Sequence, residues 1–247
     1  MTKSTIDLSL IIPAYMEGKI IKQSLNTLAD YLDAQHLGQV EIIVVTADSP
    51  DGTTEQAQSV AGRFKHFRVH QLGARVGKGR DVRAGMLEAK GRYRLFMDAD
   101  LATPLEHIAQ SYELLKNGAP IVIAVRDLFS IHKGIFRKFM SSFGNLFIQA
   151  LILPGIKDTQ CGFKGFSAVA AEEIFPLQTM MGWSFDAEIL KIARIHGYRI
   201  TTINANDWHD PKTGDMGLVG DSPLKAAIKT FSDTIVIAIN AVKGVYR

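Results

Sequence analysis

One short segment constrains the fold of this chain more than any other, Arg94-Leu95-Phe96-Met97-Asp98-Ala99-Asp100. Its apolar run predicts a buried strand that ends in two carboxylates, before Pro104 and an amphipathic segment take over. Side chains two residues apart on an extended chain point the same way, so Asp98 and Asp100 would face one hard cation or one cation-bound diphosphate if the strand geometry persists. Mg²⁺ and Mn²⁺ prefer carboxylate oxygen and leave coordination positions for substrate phosphate. The alternative is a solvated strand end followed by a turn.

Strand-type and helix-type segments alternate in the first half of the chain. Short apolar runs predict strands at residues 8–12, 40–45, 67–71, 93–97 and 121–125. Helical spacing predicts helices at residues 20–32, 53–61 and 80–90, the second of them capped by Thr53 or Thr54. This alternation is typical of an α/β fold with helices on both faces of a mostly parallel sheet. Ligands bind at the carboxyl ends of strands in such sheets, so the loops at 13–17, 48–51 and 98–100 are candidate site loops on one edge.

The second half of the chain has a less regular pattern. Residues 132–153 begin with basic side chains and continue as an amphipathic stretch. We expect this stretch to pack mostly on the protein's own core, with a membrane or a partner as the alternative. The sequence predicts a polar, glycine-bearing loop at 158–166, a helix opening within 182–190 and a late strand at 198–204. Apolar residues at helical spacing predict an amphipathic helix at 224–246.

The composition is that of a soluble globular protein, with 47% hydrophobic and 21% charged residues among 247. The net charge of +3 does not indicate nucleic-acid binding, but basic residues concentrate between Arg63 and Arg94, which suits an anionic ligand. The single cysteine, Cys161, excludes an intrachain disulfide and a multi-cysteine zinc site, and we expect it to be a small buried filler. Residues 1–7 lack a signal-peptide pattern, and no window of about 20 residues is apolar enough to span a bilayer. We therefore expect a cytoplasmic protein, soluble or peripheral to a membrane.

The motifs, taken together, resemble glycosyltransferase family 2 over essentially the whole chain. Ile11 to Tyr15 with Glu17 is similar to the family's opening nucleotide-binding turn, Asp48-Ser49-Pro50-Asp51 to its second acidic turn, and Asp98-Ala99-Asp100 to its metal-binding motif. The resemblance implies one domain of the GT-A fold over residues 1–247. Its parts would be a nucleotide-binding half at 1–125, an acceptor-binding half at 126–223 and a C-terminal amphipathic helix at 224–247.

Four further motifs resemble the dolichyl-phosphate β-glucosyltransferase branch more closely than the mannosyl branch. They are Gly77-Lys78-Gly79, Met97 to Thr103, Asp158 to Lys164 and Trp183 to Leu190. The mannosyl branch usually carries Gln two residues after the second Asp, where this chain has Ala102. There are two departures from the pattern. An N-terminal membrane anchor found in many eukaryotic members is not seen here, which argues against tight membrane attachment, and Ala47-Asp48 replaces the common paired Asp.

The resemblance also implies roles for individual side chains. The metal ligands, for Mg²⁺ or Mn²⁺, would be Asp98 and Asp100. The nucleotide-binding residues would be Pro13, Ala14, Tyr15, Glu17, Asp48, Lys78, Asp98 and Ala99, with Glu17 and Asp48 reaching the base and ribose. The acceptor-binding residues would be Arg126, Lys133, Arg137, Gln160 and Asp186. The catalytic residues would be Asp98, Asp100, Asp158, Arg126 and Arg137.

These roles imply an inverting, metal-dependent enzyme that transfers a hexose from a nucleotide sugar to a polyprenyl or dolichyl phosphate. UDP-glucose is the favoured donor, and the site of action would be the cytoplasmic face of a membrane. The alternatives are a soluble member that uses GDP-mannose or a non-lipid acceptor, a protein that binds nucleotide sugar without turnover, and a membrane scaffold.

The acceptor decides whether the site needs a general base. A lipid phosphate is largely dianionic at neutral pH and needs cations rather than a base, because its second pKa is about 6 by comparison with phosphorylated side chains. A sugar hydroxyl would need a carboxylate to accept its proton, and Asp158 or Asp186 would be the candidates. The aromatic side chains Trp183, Phe185 and Trp208 are expected in the core rather than as sugar platforms.

Overall fold

The computed structural model describes residues 5–126, 147–156, 158–205, 207–208 and 223–247. Its strands are β1 (Leu8–Ala14), β2 (Val40–Thr46), β3 (His66–Gln71), β4 (Tyr93–Phe96), β5 (Ile121–Val125), β6 (Lys164–Ser167) and β7 (Ile200–Asn204). Its helices are α1 (Ile21–Asp33), α2 (Thr53–Gln58), α3 (Lys78–Glu88), α4 (Glu106–Lys116), α5 (Ala168–Ile174), α6 (Phe185–Ile195) and α7 (Pro223–Lys243). Short 3₁₀ turns lie at Ala61–Arg63 and Phe175–Leu177.

Within these described ranges the strands form one seven-stranded sheet in the order β3-β2-β1-β4-β6-β5-β7. All neighbouring pairs are parallel except those that β6 makes with β4 and β5. The prediction of a mostly parallel α/β sheet is confirmed. The predicted loop at 158–166 is wrong at its end, because β6 begins at Lys164. Four residues that include a lysine and a glycine are a weak strand signal, and β6 forms because β4 and β5 lie on either side of it and supply its hydrogen bonds.

Strand β1 runs two residues beyond its predicted end at Ile12, through Pro13 to Ala14. Proline has no N–H to donate, so it is excluded from most central strands. Both polar backbone groups of a residue in a parallel strand point toward the same neighbour. Because Met97 N donates to Ile11 O, Pro13 also faces the β4 side, where β4 has already ended. The absent N–H of Pro13 therefore removes no hydrogen bond between strands of the sheet.

Side chains alternate between the two faces of the sheet, and each face is covered by helices. On one face, Ile11, Ile43 and Phe96 belong to a buried cluster with residues of α3, α5, α6 and α7. On the other face, Leu10 and Val44 belong to a cluster with residues of α1, α2 and α4. Each such side chain contributes about 1.5–3 kcal/mol when it is fully buried. The packing leaves the carboxyl edge of the sheet to loops.

The long C-terminal helix predicted at 224–246 is present as α7, from Pro223 to Lys243. Among the described residues, none of the helices combines the length and the apolar character required to cross a bilayer. The predicted amphipathic stretch at 132–153 lies mostly outside the described residues, whose nearest part begins at 147.

Candidate active site

The loops that follow β1 and β2 are joined by hydrogen bonds. Met16 N donates to Ser49 Oγ at 2.9 Å, Glu17 N to Thr53 Oγ1 at 2.9 Å and Gly18 N to a carboxylate oxygen of Asp51 at 2.7 Å. Thr53 therefore does not cap α2 as predicted, since its hydroxyl is used between the loops and Gly52 occupies the N-cap position. The backbone of the 13–17 loop is held in place by the second acidic turn.

The loops that follow β2 and β3 also meet. Asp48 N donates to Gly73 O at 2.8 Å, and Gln71 Nε2 donates to Asp48 Oδ1 at 2.9 Å. Further along the same loop, the guanidinium of Arg75 lies 4.0 Å from the centre of the Tyr15 ring. An aromatic face, a cation and an exposed carboxylate are thus brought together at the ends of three adjacent strands. The sequence singled out Tyr15 and Asp48 but not Gln71 or Arg75.

The two carboxylates after β4 lie in a turn and not on an extended chain. The strand ends at Phe96, residues 99–100 form a turn, and Leu101 has a left-handed backbone with φ of 55°. The strand geometry does not persist to Asp100, so strand alternation does not place Asp98 and Asp100 on one side. Burial and then the charge of Asp98 raise the pKa of Asp100, so in the turn the two carboxylates still interact electrostatically. The backbone N–H of Ala102 orients Asp100 by donating to its Oδ1 at 3.0 Å.

A third carboxylate, from the β1 loop, faces this pair. Burial, together with the charges of Asp100, Asp98 and Asp51, raises the pKa of Glu17 to about 7. The charges of Asp98 and Asp100 thus act on Glu17, and a cluster of carboxylates of this kind favours a bound cation. In the described part of the chain, no group of three or more His, Cys, Asp or Glu side chains is arranged to hold a metal ion. Two carboxylates are a sufficient protein contribution for Mg²⁺ when substrate phosphates supply further ligands, so Asp98 and Asp100 fit the predicted ion.

The one lysine of this cluster opens helix α3. Lys78 follows Gly77, at which a Cβ would collide with Met181 O, so the glycine permits a close approach between the α3 start and the segment before α6. The ammonium of Lys78 forms an ion pair with Asp98 and lies 5.3 Å from the centre of the Trp183 ring. Burial alone would lower the pKa of Lys78, but Asp98 and Asp186 outweigh it and raise that pKa. Lys78 is thus a cation at neutral pH, held beside the carboxylate pair.

Arg126, at the end of β5, forms a two-pronged ion pair with Asp158. Its Nε and Nη2 donate to the two carboxylate oxygens at 2.7 and 3.2 Å, and the backbone N–H groups of Arg126 and Gln160 donate to the same carboxylate at 3.2 and 3.1 Å. Burial alone would raise the pKa of Asp158, but Arg126 lowers it overall. Both oxygens of Asp158 are occupied and its proton affinity is reduced. These facts argue against the predicted general base at this residue.

A second lysine–aspartate pair is enclosed beneath the first. Lys164 of β6 and Asp186 of α6 are 0% and 2% exposed and form an ion pair. Lys164 also donates to Cys161 O at 2.6 Å and lies 5.4 Å from the centre of the Phe96 ring. Burial raises the pKa of Asp186, against the opposing charges of Lys164 and Lys78. Asp186 therefore presents no free oxygen to solvent, which argues against the predicted contact with an acceptor.

The remaining predicted site residues differ in their accessibility. Pro13, Ala14 and Ala99 are buried, whereas Gln160 is exposed. Lys133 and Arg137 lie outside the described residues. These two predictions stay predictions.

The expectation of core aromatics holds for Phe185, which is fully buried, and is wrong for Trp183, which is 51% exposed. Trp208 is half-buried, and its ring centre lies 5.2 Å from the guanidinium of Arg126. Cys161 is buried as expected. Gly162, next to it, is required by close packing, because a Cβ there would collide with the carboxylate of Asp98.

The sequence profile of Glycosyl transferase family 2 matches residues 9–175, which is more than half of the chain. The chain belongs to glycosyl transferase family 2. This family-2 glycosyltransferase is 30% identical to a dolichyl-phosphate β-glucosyltransferase of Trichomonas vaginalis, over 96% of this chain and 76% of the relative. It is also 30% identical to the dolichyl-phosphate β-glucosyltransferase of Saccharomyces cerevisiae, over 98% and 77%. The enzyme of that name from Homo sapiens is 27% identical, over 98% and 78%.

Solved structures of similar fold include glucosyl-3-phosphoglycerate synthase from Mycobacterium tuberculosis. Its complex with Mn²⁺, UDP-glucose and phosphoglyceric acid superposes with a TM-score of 0.69 at 17% identity, over 96% of this chain and 80% of that one. Its complex with Mg²⁺ and UDP gives 0.61 at 17% identity, over 97% and 80%. At such low identity the likeness establishes the fold alone. The family-2 glycosyltransferase described here has the predicted GT-A fold.

Proposed function

We propose that this glycosyltransferase moves glucose from UDP-glucose to a polyprenyl or dolichyl phosphate, with inversion at the anomeric carbon. The observation that carries the proposal is the cluster of Asp98, Asp100 and Lys78 at the carboxyl edge of the sheet. The cluster offers carboxylates for a cation and an ammonium group for phosphate, at the place where a diphosphate would have to be held and released. The relatives named dolichyl-phosphate β-glucosyltransferase support the same donor sugar and acceptor class.

The donor would lie across the loops after β1, β2 and β3. Tyr15 offers an aromatic face for the base, and Asp48 offers a carboxylate to its edge. Glu17, held by Thr53 through its backbone, would accept from the ribose hydroxyls. Pro13, Ala14 and Ala99 would lie beneath the same path, since these residues are buried.

Asp98 and Asp100 would hold Mg²⁺ or Mn²⁺ together with the donor diphosphate. The bound ion would supply Lewis-acid stabilisation of the negative charge that develops on the leaving group. The protein contributes the orientation of Asp100 by the Ala102 N–H and the space beside Asp98 that Gly162 provides. Lys78 would transfer its ion pair from Asp98 to a phosphate oxygen, a charge-assisted contact that strengthens as the leaving group forms.

The acceptor reaction needs no general base on this proposal. An oxygen of the lipid phosphate forms a bond to the anomeric carbon while the bond from that carbon to the diphosphate oxygen breaks, and UDP departs with the electron pair. A phosphate that is already an anion gives up no proton in this step. This is consistent with Asp158 and Asp186, whose carboxylates are both engaged by cations of the protein. Arg126 would help to balance the charge of the two approaching anions, and we propose the same for Lys133 and Arg137.

The surface of α7 supports action at a membrane. Its outward face carries four exposed aliphatic residues at helical spacing, Ile228, Ile235, Ile239 and Val242. We call these four residues the α7 stripe. Exposed lysines flank it at 229 and 243, which suits the anionic surface of a cytoplasmic leaflet. We therefore propose a peripheral protein at the cytoplasmic face, with a donor half at 1–125 and an acceptor half at 126–223.

The test is transfer of labelled glucose from UDP-glucose to a short-chain polyprenyl phosphate by the purified protein with Mn²⁺ or Mg²⁺. We expect a lipid-linked product that Asp100→Asn reduces by about three orders of magnitude, as loss of a charge-stabilising contact to the transition state does. Lys22→Met, an exposed change on α1, is the control. A product formed only from GDP-mannose would favour the alternative donor. Binding of UDP-glucose without transfer or hydrolysis would favour a non-catalytic binding protein and overturn the proposal.

A further inference from the structure

The carboxylate of Asp48, which would contact the nucleotide base on the proposed function, accepts a hydrogen bond from a neighbouring side chain. Gln71 is the last residue of β3, and its amide nitrogen donates to Asp48 Oδ1 at 2.9 Å. Only the NH₂ end of a glutamine amide can donate to a carboxylate, so the contact fixes the orientation of Gln71. The backbone N–H of Asp48 is itself held by Gly73 O at 2.8 Å. One oxygen of Asp48 is engaged within the protein and the other is left for a ligand.

Uracil and guanine make different demands on such a carboxylate. The Watson–Crick edge of uracil has a single N–H donor, N3–H, with a carbonyl oxygen on each side. The same edge of guanine has two adjacent donors, N1–H and N2–H, which together match both oxygens of a free carboxylate. A carboxylate with one oxygen covered by an N–H donor thus suits uracil, because the covered oxygen no longer repels the neighbouring carbonyl. For guanine the covered oxygen would have to accept a second hydrogen bond beside that of Gln71, which weakens the paired contact.

We propose that Gln71 is a specificity residue that makes Asp48 select uracil over guanine in the donor nucleotide. The inference rests on the proposed function, in which Asp48 reads the edge of the base. Gln71 acts through Asp48 and makes no contact with the reacting atoms, so it is a positioning residue. Its position on the edge strand β3 is exposed, and changing it leaves the core clusters intact.

The test measures the affinities of UDP and GDP by titration calorimetry at a fixed Mg²⁺ concentration. Gln71→Met keeps the length of the side chain but cannot donate a hydrogen bond. We expect it to shift the ratio of the two dissociation constants toward GDP by about three- to tenfold, the worth of one hydrogen bond. Gln58→Met, an exposed glutamine change on α2, is the matched control and should leave the ratio unchanged.

A double-mutant cycle with Asp48→Asn tests whether Gln71 acts through Asp48. In that background, Gln71→Met should no longer change the ratio, because the carboxylate that it restricts is gone. An unchanged ratio in Gln71→Met alone, or an equal shift with and without Asp48, would overturn the inference. The transfer assay separates this outcome from the proposed function. A protein that shows the shift but transfers no glucose contradicts the function and leaves the role of Gln71 standing, whereas glucose transfer with an unchanged ratio does the reverse.

Discussion

The two lysine–aspartate pairs of this site differ in their access to water. In the upper pair, Lys78 is 14% and Asp98 is 37% exposed, whereas in the lower pair Lys164 is 0% and Asp186 is 2% exposed. The same two side-chain types therefore occupy two physical settings within one site. Ions that water can reach exchange partners at small cost, whereas ions fully removed from water depend on each other.

This difference suggests two uses of the same chemistry. On the proposed function the upper pair would open, because Asp98 would gain a bound cation and Lys78 would gain a phosphate when the donor arrives. The lower pair stays closed and connects three parts of the structure, the 158–163 loop through Cys161 O, strand β6 through Lys164 and helix α6 through Asp186.

Lys164→Met should have the largest effect, because it leaves Asp186 buried without its cation. We expect a loss of about 3–5 kcal/mol in the free energy of unfolding, measured by urea denaturation. The double variant Lys164→Met/Asp186→Leu should recover most of this loss, since neither member of the pair is then left as a buried ion without its partner. A single variant that costs less than about 1 kcal/mol would mean that the lower pair is no more interdependent than a surface pair.

Asp158→Asn should have an intermediate effect, because Arg126 is 17% exposed and can still reach water. We expect a loss of about 1–3 kcal/mol at neutral pH, since a charged acceptor of several hydrogen bonds becomes a neutral one. The pKa of Asp158 is lowered in the folded state from an ordinary 3.8, so its contribution is present above that pH and is lost as the pH falls through the lower folded value. The difference between wild type and variant should therefore narrow as the pH is lowered below about 4. A difference that stays constant down to pH 2 would contradict the assigned ion pair.

The two pairs also differ in how well they could be predicted from the sequence. Local signals lie next to the upper pair and its neighbour, since an apolar run precedes Asp98 and Asp100 and glycines surround Lys78. The position of these residues at the sheet edge could therefore be predicted from the alternation of strands and helices. Lys164 had no such signal, because its burial depends on Asp186, 22 residues further along the chain. The one available hint was that Phe163 and Phe166, both fully buried, flank it.

Two errors have the same origin. Trp183 was expected in the core because large aromatics usually are, and its exposure follows from its position at the turn before α6, beside Lys78. Pro13 was expected to end β1 because proline removes a donor, but the early end of β4 makes that donor unnecessary. In each case the local rule is valid by itself. The outcome depends on a neighbour that is distant in sequence, which is Lys78 for Trp183 and β4 for Pro13.

Lys78→Met should change stability little and activity strongly. Asp98, the ion that this variant leaves behind, is 37% exposed and can be solvated, so we expect a change of less than about 1 kcal/mol in the free energy of unfolding. The rate of glucose transfer should fall by about a hundredfold or more, because Lys78 would neutralise charge that develops on the leaving diphosphate. Lys22→Met controls for the loss of a positive charge. If Lys78→Met lost as much free energy of unfolding as Lys164→Met, the distinction between the two pairs would fail.

The α7 stripe should contribute least to stability, since it contacts solvent in the isolated protein. Substitution of Ile239 and Val242, which are 44% and 88% exposed, by serine should alter the free energy of unfolding by less than about 0.5 kcal/mol. The same double variant should bind vesicles with anionic lipid at least about tenfold more weakly, because two aliphatic side chains no longer enter the interface. Val169→Ser, a change at a valine on α5 that is 60% exposed, should leave vesicle binding unchanged. Equal binding by wild type and the double variant would show that membrane contact does not use this face of α7, and the acceptor would then have to reach Lys78 and Trp183 by another approach.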